Sequence, residues 1–487
     1  MISNRKQVQL LPGGISKKWG GFVLLVFTLA FIATSALVTL PQHFSVHAAS
    51  TKNALTGSDW SMYMGDIGRS GFNANETTIN QQTAPNLKLK WKHLAGGRVT
   101  TQPIEANGMV YWGSWDGLEH ATNPSTGTDI WTANLGQTLQ TCSKLLNGVL
   151  SSAEFAHVTI AGVDTPVLFV GGGNVQVYAL NANTGTVIWQ TPLGTQPTYF
   201  LYGSPALYNG SVYIGISSHD DCPLVRAGFA QLNATTGVIQ NTFYTVPSGC
   251  TGASVWTAPA IDTTTQQIYF ATGNPGKCTS TETMGESLIE VNASDLSFVA
   301  SWQVPVSQQA TDSDFGSTPT LFTATIGGVV HQMIGLLNKN GIYYAFDRTN
   351  IGAGPLWQVQ LAAPTVGVES DIASSAWDGT NLYEAAAQTT IAGVSCKGSL
   401  RALNPATGAF IWERCLTTPA VGPVSMVAGL AEVGVRNSIF IVNAQTGKQL
   451  FQFHDFTKQS GFSGPGSFAN GMLYHGDIDG YLYAFGL

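Results

Sequence analysis

The chain has 487 residues, a formal charge of −7 and only 10% charged side chains, where soluble domains carry about 25%. Its low net charge and 10% aromatic content exclude a disordered chain, the scarcity of Glu, Lys and Arg excludes a long-helix or coiled-coil protein, and its 55 glycines call for a structural reason. Without a basic excess to neutralise phosphates, no nucleic-acid partner is expected. A large, glycine-rich β protein remains.

In chain order, residues 1–18 carry Arg5, Lys6, Lys17 and Lys18 and no acid, and an apolar run follows from Phe22 to Leu40. Small residues close it at Val46-His47-Ala48-Ala49. A basic end, an apolar core and a small-residue exit predict a secretory signal, while the length of the core equally suits a retained anchor. Residues 1–48 are therefore expected to be a signal peptide or signal anchor, and 49–57 a linker. The remainder is expected to be exported, extracellular or in the cell envelope, and held at a membrane by residues 22–40 if they are not cleaved. Six cysteines in such a chain predict disulfides. Cys396 and Cys415 flank the turn in ALNPATG, and Cys222 and Cys250 flank the turn in QLNATTG. Hairpin register suggests these two pairs and offers no partner for Cys142 or Cys278.

From there one phrase recurs: ATNPSTGTDIW at 121–131, ALNANTGTVIW at 179–189 and ALNPATGAFIW at 402–412, with weaker copies near 231, 290, 345 and 441. Each copy reads as an alternating strand, a turn whose glycine tolerates positive φ, and a second strand carrying a large apolar residue. Another hairpin lies upstream of most copies. Four strands over 39–62 residues match the period of a propeller blade. Counting Trp-equivalent positions 91, 131, 189, 240, 302, 357, 412 and 451 gives eight blades. The last unit lacks a fourth strand, and LKLKWKH around Trp91 is an orphan strand that would supply it. The predicted fold is an all-β, eight-bladed β-propeller over 58–487, closed by pairing of its N- and C-terminal strands.

With strands a to d running from axis to rim, the TG turns lie on one face, and the b–c and d–a connections lie on the other. Trp256, Asn274, Asp312, Asp314, Lys339, Asp220 and Asp221 all fall on this second face. Carboxylates and an amide oxygen are hard ligands suited to Ca2+. A spare Asp could act as a general base, and a Lys could stabilise developing negative charge. The nine histidines show no metal-ligand spacing in the sequence.

At these residues the chain resembles the pyrroloquinoline-quinone (PQQ) dehydrogenases, the eight-bladed quinoprotein alcohol dehydrogenases. The likeness runs from DWSMYMGDIGRSGFN to MLYHGDIDGYLYAF and is most specific at YFATGNP and KNGIYYAFDR. The resemblance implies that Trp256 lies under the planar cofactor and that Asn274 gives its oxygen to Ca2+. It further implies that Asp312 is the catalytic base and that Lys339 contacts the quinone oxygens. Asp220, Asp221 or Cys222 would stand at the place of the family's metal-binding Glu, and of these a Cys would be a poor Ca2+ ligand. The family's adjacent Cys-Cys pair and CxxCH haem motif are absent, so an active enzyme would need a separate electron acceptor. The implied substrate is a small or polymeric alcohol or a sugar. The alternative is a non-catalytic propeller that binds a protein or cell-envelope partner through one face.

Overall fold

In the computed structural model the described residues are 57–278, 283–365, 371–457 and 460–487. The expected signal or anchor at 1–48 and nearly all of the expected linker lie outside them. Alternating strands build eight radial sheets, all but one four-stranded. Blade 1 comprises Ile104–Ala106, Met109–Gly113, Leu118–Thr122 and Asp129–Asn134, its strands a to d. Blades 2 to 7 begin at Glu154–Ile160, Ala206–Tyr208, Ala260–Asp262, Thr320–Ile326, Ala376–Trp377 and Ser425–Val427. Blade 8 takes Ser467–Ala469, Met472–Gly476 and Tyr481–Gly486 from the C-terminal end of the chain and Lys88–Leu94 from the N-terminal side. Lys88–Leu94 pairs antiparallel with Tyr481–Gly486, so the ring closes as expected. No helix among the described residues is long and apolar enough to cross a membrane.

The repeated phrase has a local cause. Asn123 accepts two turn N–H groups on its side chain, from Ser125 at 2.9 Å and Thr126 at 3.1 Å, which fixes the turn before Gly127. The glycine, in the left-handed region, leaves room for Trp91 of the preceding blade to lie against it. Trp91, Trp131, Trp189, Trp357 and Trp412 each donate the indole N–H to a carbonyl in the next blade's turn, at 2.7–2.9 Å. The apolar core is correspondingly divided among the seams between sheets.

Two expectations need correction. Ala121 pairs with Trp131, and the same place in blades 3 and 4 is held by Asn241 and Ala300, opposite Gln231 and Glu290. Gln240 and Trp302 are therefore not the Trp equivalents. In blades 1 to 4, 6 and 7 the position lies four residues past the left-handed turn residue, which in blade 4 is Leu296, at φ 57°, rather than a glycine. Trp302 still packs on blade 5, tilted against Tyr344 at 4.9 Å and edge-on to Phe346 at 5.0 Å.

The second correction concerns the cysteines. Cys396–Cys415 forms as expected, but Cys222 bonds to Cys142 and Cys250 to Cys278. Cys396 and Cys415 lie on or beside paired strands of blade 6. Cys222 and Cys250 lie beyond the paired ends Gly228 and Tyr244, where strand register no longer dictates distance.

The segment from Trp60 to Asn73 runs round the inside of the ring of first strands, meeting the blades in order. It bonds to blades 1 and 2 through Trp60–Glu105 and Ser61–Phe155, and to blades 4 to 7 through Ile67–Ile261, Gly68–Leu321, Ser70–Trp377 and Gly71–Met426. Arg69 reaches Pro205 O ahead of blade 3, and Asn73 reaches Phe468 O of blade 8. Trp60, Met64 and Arg69 are buried there.

Candidate functional site

Strand direction brings the expected residues to one face, each just beyond a strand end. Asp221 follows strand Ser211–Ile216 of blade 3, and Asn274 follows Gln267–Ala271 of blade 4. Lys339 follows Val329–Leu337 of blade 5. Trp256 precedes the first strand of blade 4, and Asp312 and Asp314 precede that of blade 5.

Their side chains form one connected group. Asn274 Nδ2 donates to Asp221 Oδ2 and to Asp312 Oδ1, both at 2.9 Å. Lys339 Nζ lies 3.2 Å from Asp312 Oδ2 and 2.5 Å from Asp314 Oδ1. The same ammonium stands 5.4 Å from the centre of the Trp256 ring, within cation–π range. Trp256 is half-buried. Gly316 admits its ring edge, since a Cβ there would fall 2.3 Å from Trp256 Cη2. A Cβ on Gly273 would lie 3.4 Å from the indole nitrogen and 3.5 Å from Asp314 Oδ2. The two glycines thus keep the surroundings of the plate open.

Asp220 and Asp221, both in the left-handed region, diverge. Asp220 turns to His219 Nδ1 at 2.9 Å, and that hydrogen bond, against a smaller effect of burial, holds its carboxyl below the usual range. Asp221 joins Asn274 instead, and burial raises its carboxyl. Cys222, in its disulfide, offers no ligand. Burial also raises Asp314, against the pull of Lys339. For Lys339 burial acts downward, but the charges and hydrogen bonds of Asp314 and Asp312 outweigh it and the ammonium is held above its ordinary pKa.

Three residues at the site were not expected from the sequence. Tyr202 packs edge-on against Trp256, with centroids 5.8 Å apart. His219 orients Asp220. Glu286 is buried, and burial, then the nearby charge of Asp312, pushes it up to about 7. His219 could have been suspected from its neighbour in SSHDDCP; Tyr202 and Glu286 reach the site only through the fold.

Three carboxylates against one ammonium leave the group anionic and rich in hard oxygen donors, which fits a hard cation. The half-buried indole beside them fits a planar ring.

Comparison with known proteins agrees with this architecture. Residues 115–291 match the family model described as outer membrane protein assembly factor BamB, and 233–376 match that of the glucose/ethanol/alcohol dehydrogenase β-propeller domain. A polyvinylalcohol dehydrogenase of Pseudomonas sp. is 23% identical over 399 residues, covering 73% of this chain and 59% of that relative. The chain thus spans under two thirds of that relative's length. The quinohemoprotein alcohol dehydrogenase of Comamonas testosteroni superposes with a TM-score of 0.70 at 17% identity, over 88% of this chain and 80% of the other. BamB of Moraxella catarrhalis gives 0.54 at 13% identity, over 82% and 100%. The chain is a PQQ-repeat β-propeller, with repeats that match both the assembly-factor and the dehydrogenase propeller models.

Proposed function

We propose that the protein is an exported, dehydrogenase-like propeller that takes PQQ and a hard cation such as Ca2+ and oxidises an alcohol, a sugar or a polymeric alcohol. The observation that carries this reading is the setting of Asp312, held by Asn274 on one side and by Lys339 on the other, beside Trp256. Bound against the indole, PQQ would supply the two-electron acceptor that no side chain provides. Asp221 and Asp312 are the residues to hold the cation, joined by Asn274 once its amide turns its oxygen toward them in place of the Nδ2 that donates to both carboxylates, with Asp314 behind them; Asp220 is left to His219. Asp312, paired with Lys339, takes the hydroxyl proton of the substrate. Lys339 carries fixed positive charge to the oxygens where negative charge develops. Electrons leave to a separate acceptor. The polyvinylalcohol dehydrogenase relatives support a polymeric alcohol among the substrates, and the three disulfides support export.

The test is purified protein supplied with PQQ and Ca2+, followed by dye reduction with a panel of alcohols. Asp312→Asn is expected to lower turnover by about 10²–10⁴-fold while PQQ still quenches tryptophan fluorescence. Absence of saturable quenching in the wild type sinks the reading. That outcome would favour a protein- or envelope-binding scaffold, which the match of 115–291 to the assembly-factor model supports.

A further inference from the structure

Away from the Trp256 face, beside the turn of blade 1, the ring-closing strand brings a histidine to two residues of the first blade. His93 belongs to Lys88–Leu94, His120 to Leu118–Thr122, and Asp129 to Asp129–Asn134. One ligand atom from each lies within 4.8 Å of the others. Asp129 Oδ2 is 3.5 Å from His93 Nε2 and 3.2 Å from His120 Nδ1. These spacings are close to the roughly 3.3 Å edge of a tetrahedron with metal–ligand bonds of about 2.0–2.1 Å.

The hydrogen bonds around the three residues prepare them as ligands. His93 Nδ1 is 2.7 Å from Gly127 O. A carbonyl only accepts, so Nδ1 donates to it and Nε2 is the ring nitrogen turned toward the Asp129 carboxylate. A backbone carbonyl on the far nitrogen is the usual support of a metal-bound imidazole. Thr122 Oγ1 donates to the other oxygen of Asp129 at 3.0 Å, and Oδ2 shares a 3.2 Å hydrogen bond with His120 Nδ1 that an ion at the shared position would replace. His120 is 3% exposed, lies parallel to Trp112 at 3.9 Å, and has no hydrogen-bond partner on Nε2 among the described residues. His93 and Asp129 keep side-chain exposures of 20% and 27%, so the position is reachable from solvent.

We propose that His93, His120 and Asp129 form a binding site for a divalent transition-metal ion of the Zn2+ class, with a fourth position open to water, that pins the ring-closing strand to blade 1. Nitrogen and carboxylate donors at this spacing suit Zn2+, Co2+ or Ni2+ and not the all-oxygen preference of Ca2+. The site is independent of the proposed dehydrogenase chemistry, because it shares no residue with it.

The test uses untagged full-length protein, stripped with chelator and titrated with Zn2+ and, separately, with Co2+. One Zn2+ is expected to bind outside the Trp256 face, to raise the thermal unfolding midpoint, and to compete with Co2+, whose visible absorption bands report nitrogen and oxygen ligands. His93→Gln and Asp129→Asn, both partly exposed, are each expected to weaken binding by more than about 100-fold and to abolish the midpoint rise. Asp221→Asn is expected to leave both unchanged. Wild-type protein that takes up no Zn2+ or Co2+ overturns the proposal. So does uptake that survives both His93→Gln and Asp129→Asn. If either variant fails to fold, the other and the wild-type Co2+ spectrum still decide the matter.

Discussion

Lys339 is the residue on which the charge balance of the upper face turns. It is the ammonium facing Asp312 and Asp314, and Asp314 is 5% exposed. Removing one partner of a buried pair costs about 3–5 kcal/mol because the other charge is stranded. Lys339→Met is therefore expected to destabilise by that order in urea unfolding, and the double variant with Asp314→Asn to recover more than half of it. Equal destabilisation of single and double variants would show that the pair is not coupled. Glu384 offers a second test. It is fully buried, one carboxylate oxygen has no hydrogen-bond partner among the described residues, and burial raises it well above the ordinary carboxyl range. Its folded pKa lies above the unfolded one, so its contribution is favourable at acid pH and is lost as pH rises through the folded value. Glu384→Gln is expected to raise the thermal midpoint at pH 8 and not at pH 5; a rise confined to pH 5 would refute it. At this scale the sequence was readable as far as the shared face, because Trp256, Asn274, Asp312 and Lys339 each lie in a connection that leaves or enters a strand on that face. It could not choose between Asp220 and Asp221, adjacent left-handed residues whose side chains diverge only because His219 captures one of them.

Turns were more legible than pairings between loops. The Asn-to-Gly spacing encodes its own geometry through the Asn side chain and the positive φ of the glycine, so the hairpins followed from local chemistry. Gly185 and Gly210 separate the two uses of glycine. Both lie at positive φ, 70° and 77°, but a Cβ on Gly185 would meet Trp131 at 2.5 Å, whereas one on Gly210 meets nothing within 4 Å. Gly210→Ala is expected to cost about 1–2 kcal/mol for the backbone alone, and Gly185→Ala a further ~1–3 kcal/mol for the displaced indole, read from denaturant midpoints. Equal costs would mean that the seam yields freely. The disulfides behaved in the opposite way. Cys142–Cys222 joins residues 80 apart across separate blades, and nothing local to either cysteine announces the other. Likewise His93 reaches His120 and Asp129 only because the ring closes, which no linear spacing could reveal.

For the whole molecule, the ring and the segment inside it make one cooperative body. Arg69 is fully buried and donates to Tyr63 O and Pro259 O at 2.7 Å and to Pro205 O at 3.2 Å. Arg69→Met strands those carbonyls and removes a charge near buried Glu154, at a cost on the order of 3–5 kcal/mol. The expected result is a lower midpoint with a single transition, coincident by tryptophan fluorescence and far-ultraviolet circular dichroism. Two separated transitions would show that the blades unfold independently. Blade number and closure were readable from the repeat. The path of residues 58–73 was not, because its bonds to eight separate sheets exist only once all eight are assembled.

That path fills space inside the ring, where Trp60, Met64 and Arg69 are buried. On the proposed function, whatever visits Asp312 would then be expected to arrive and depart by the face that carries it. A long polyol would have to dip a loop or a chain end in there, react, and lift away before an electron carrier could take its place, so substrate and carrier would compete for one doorway.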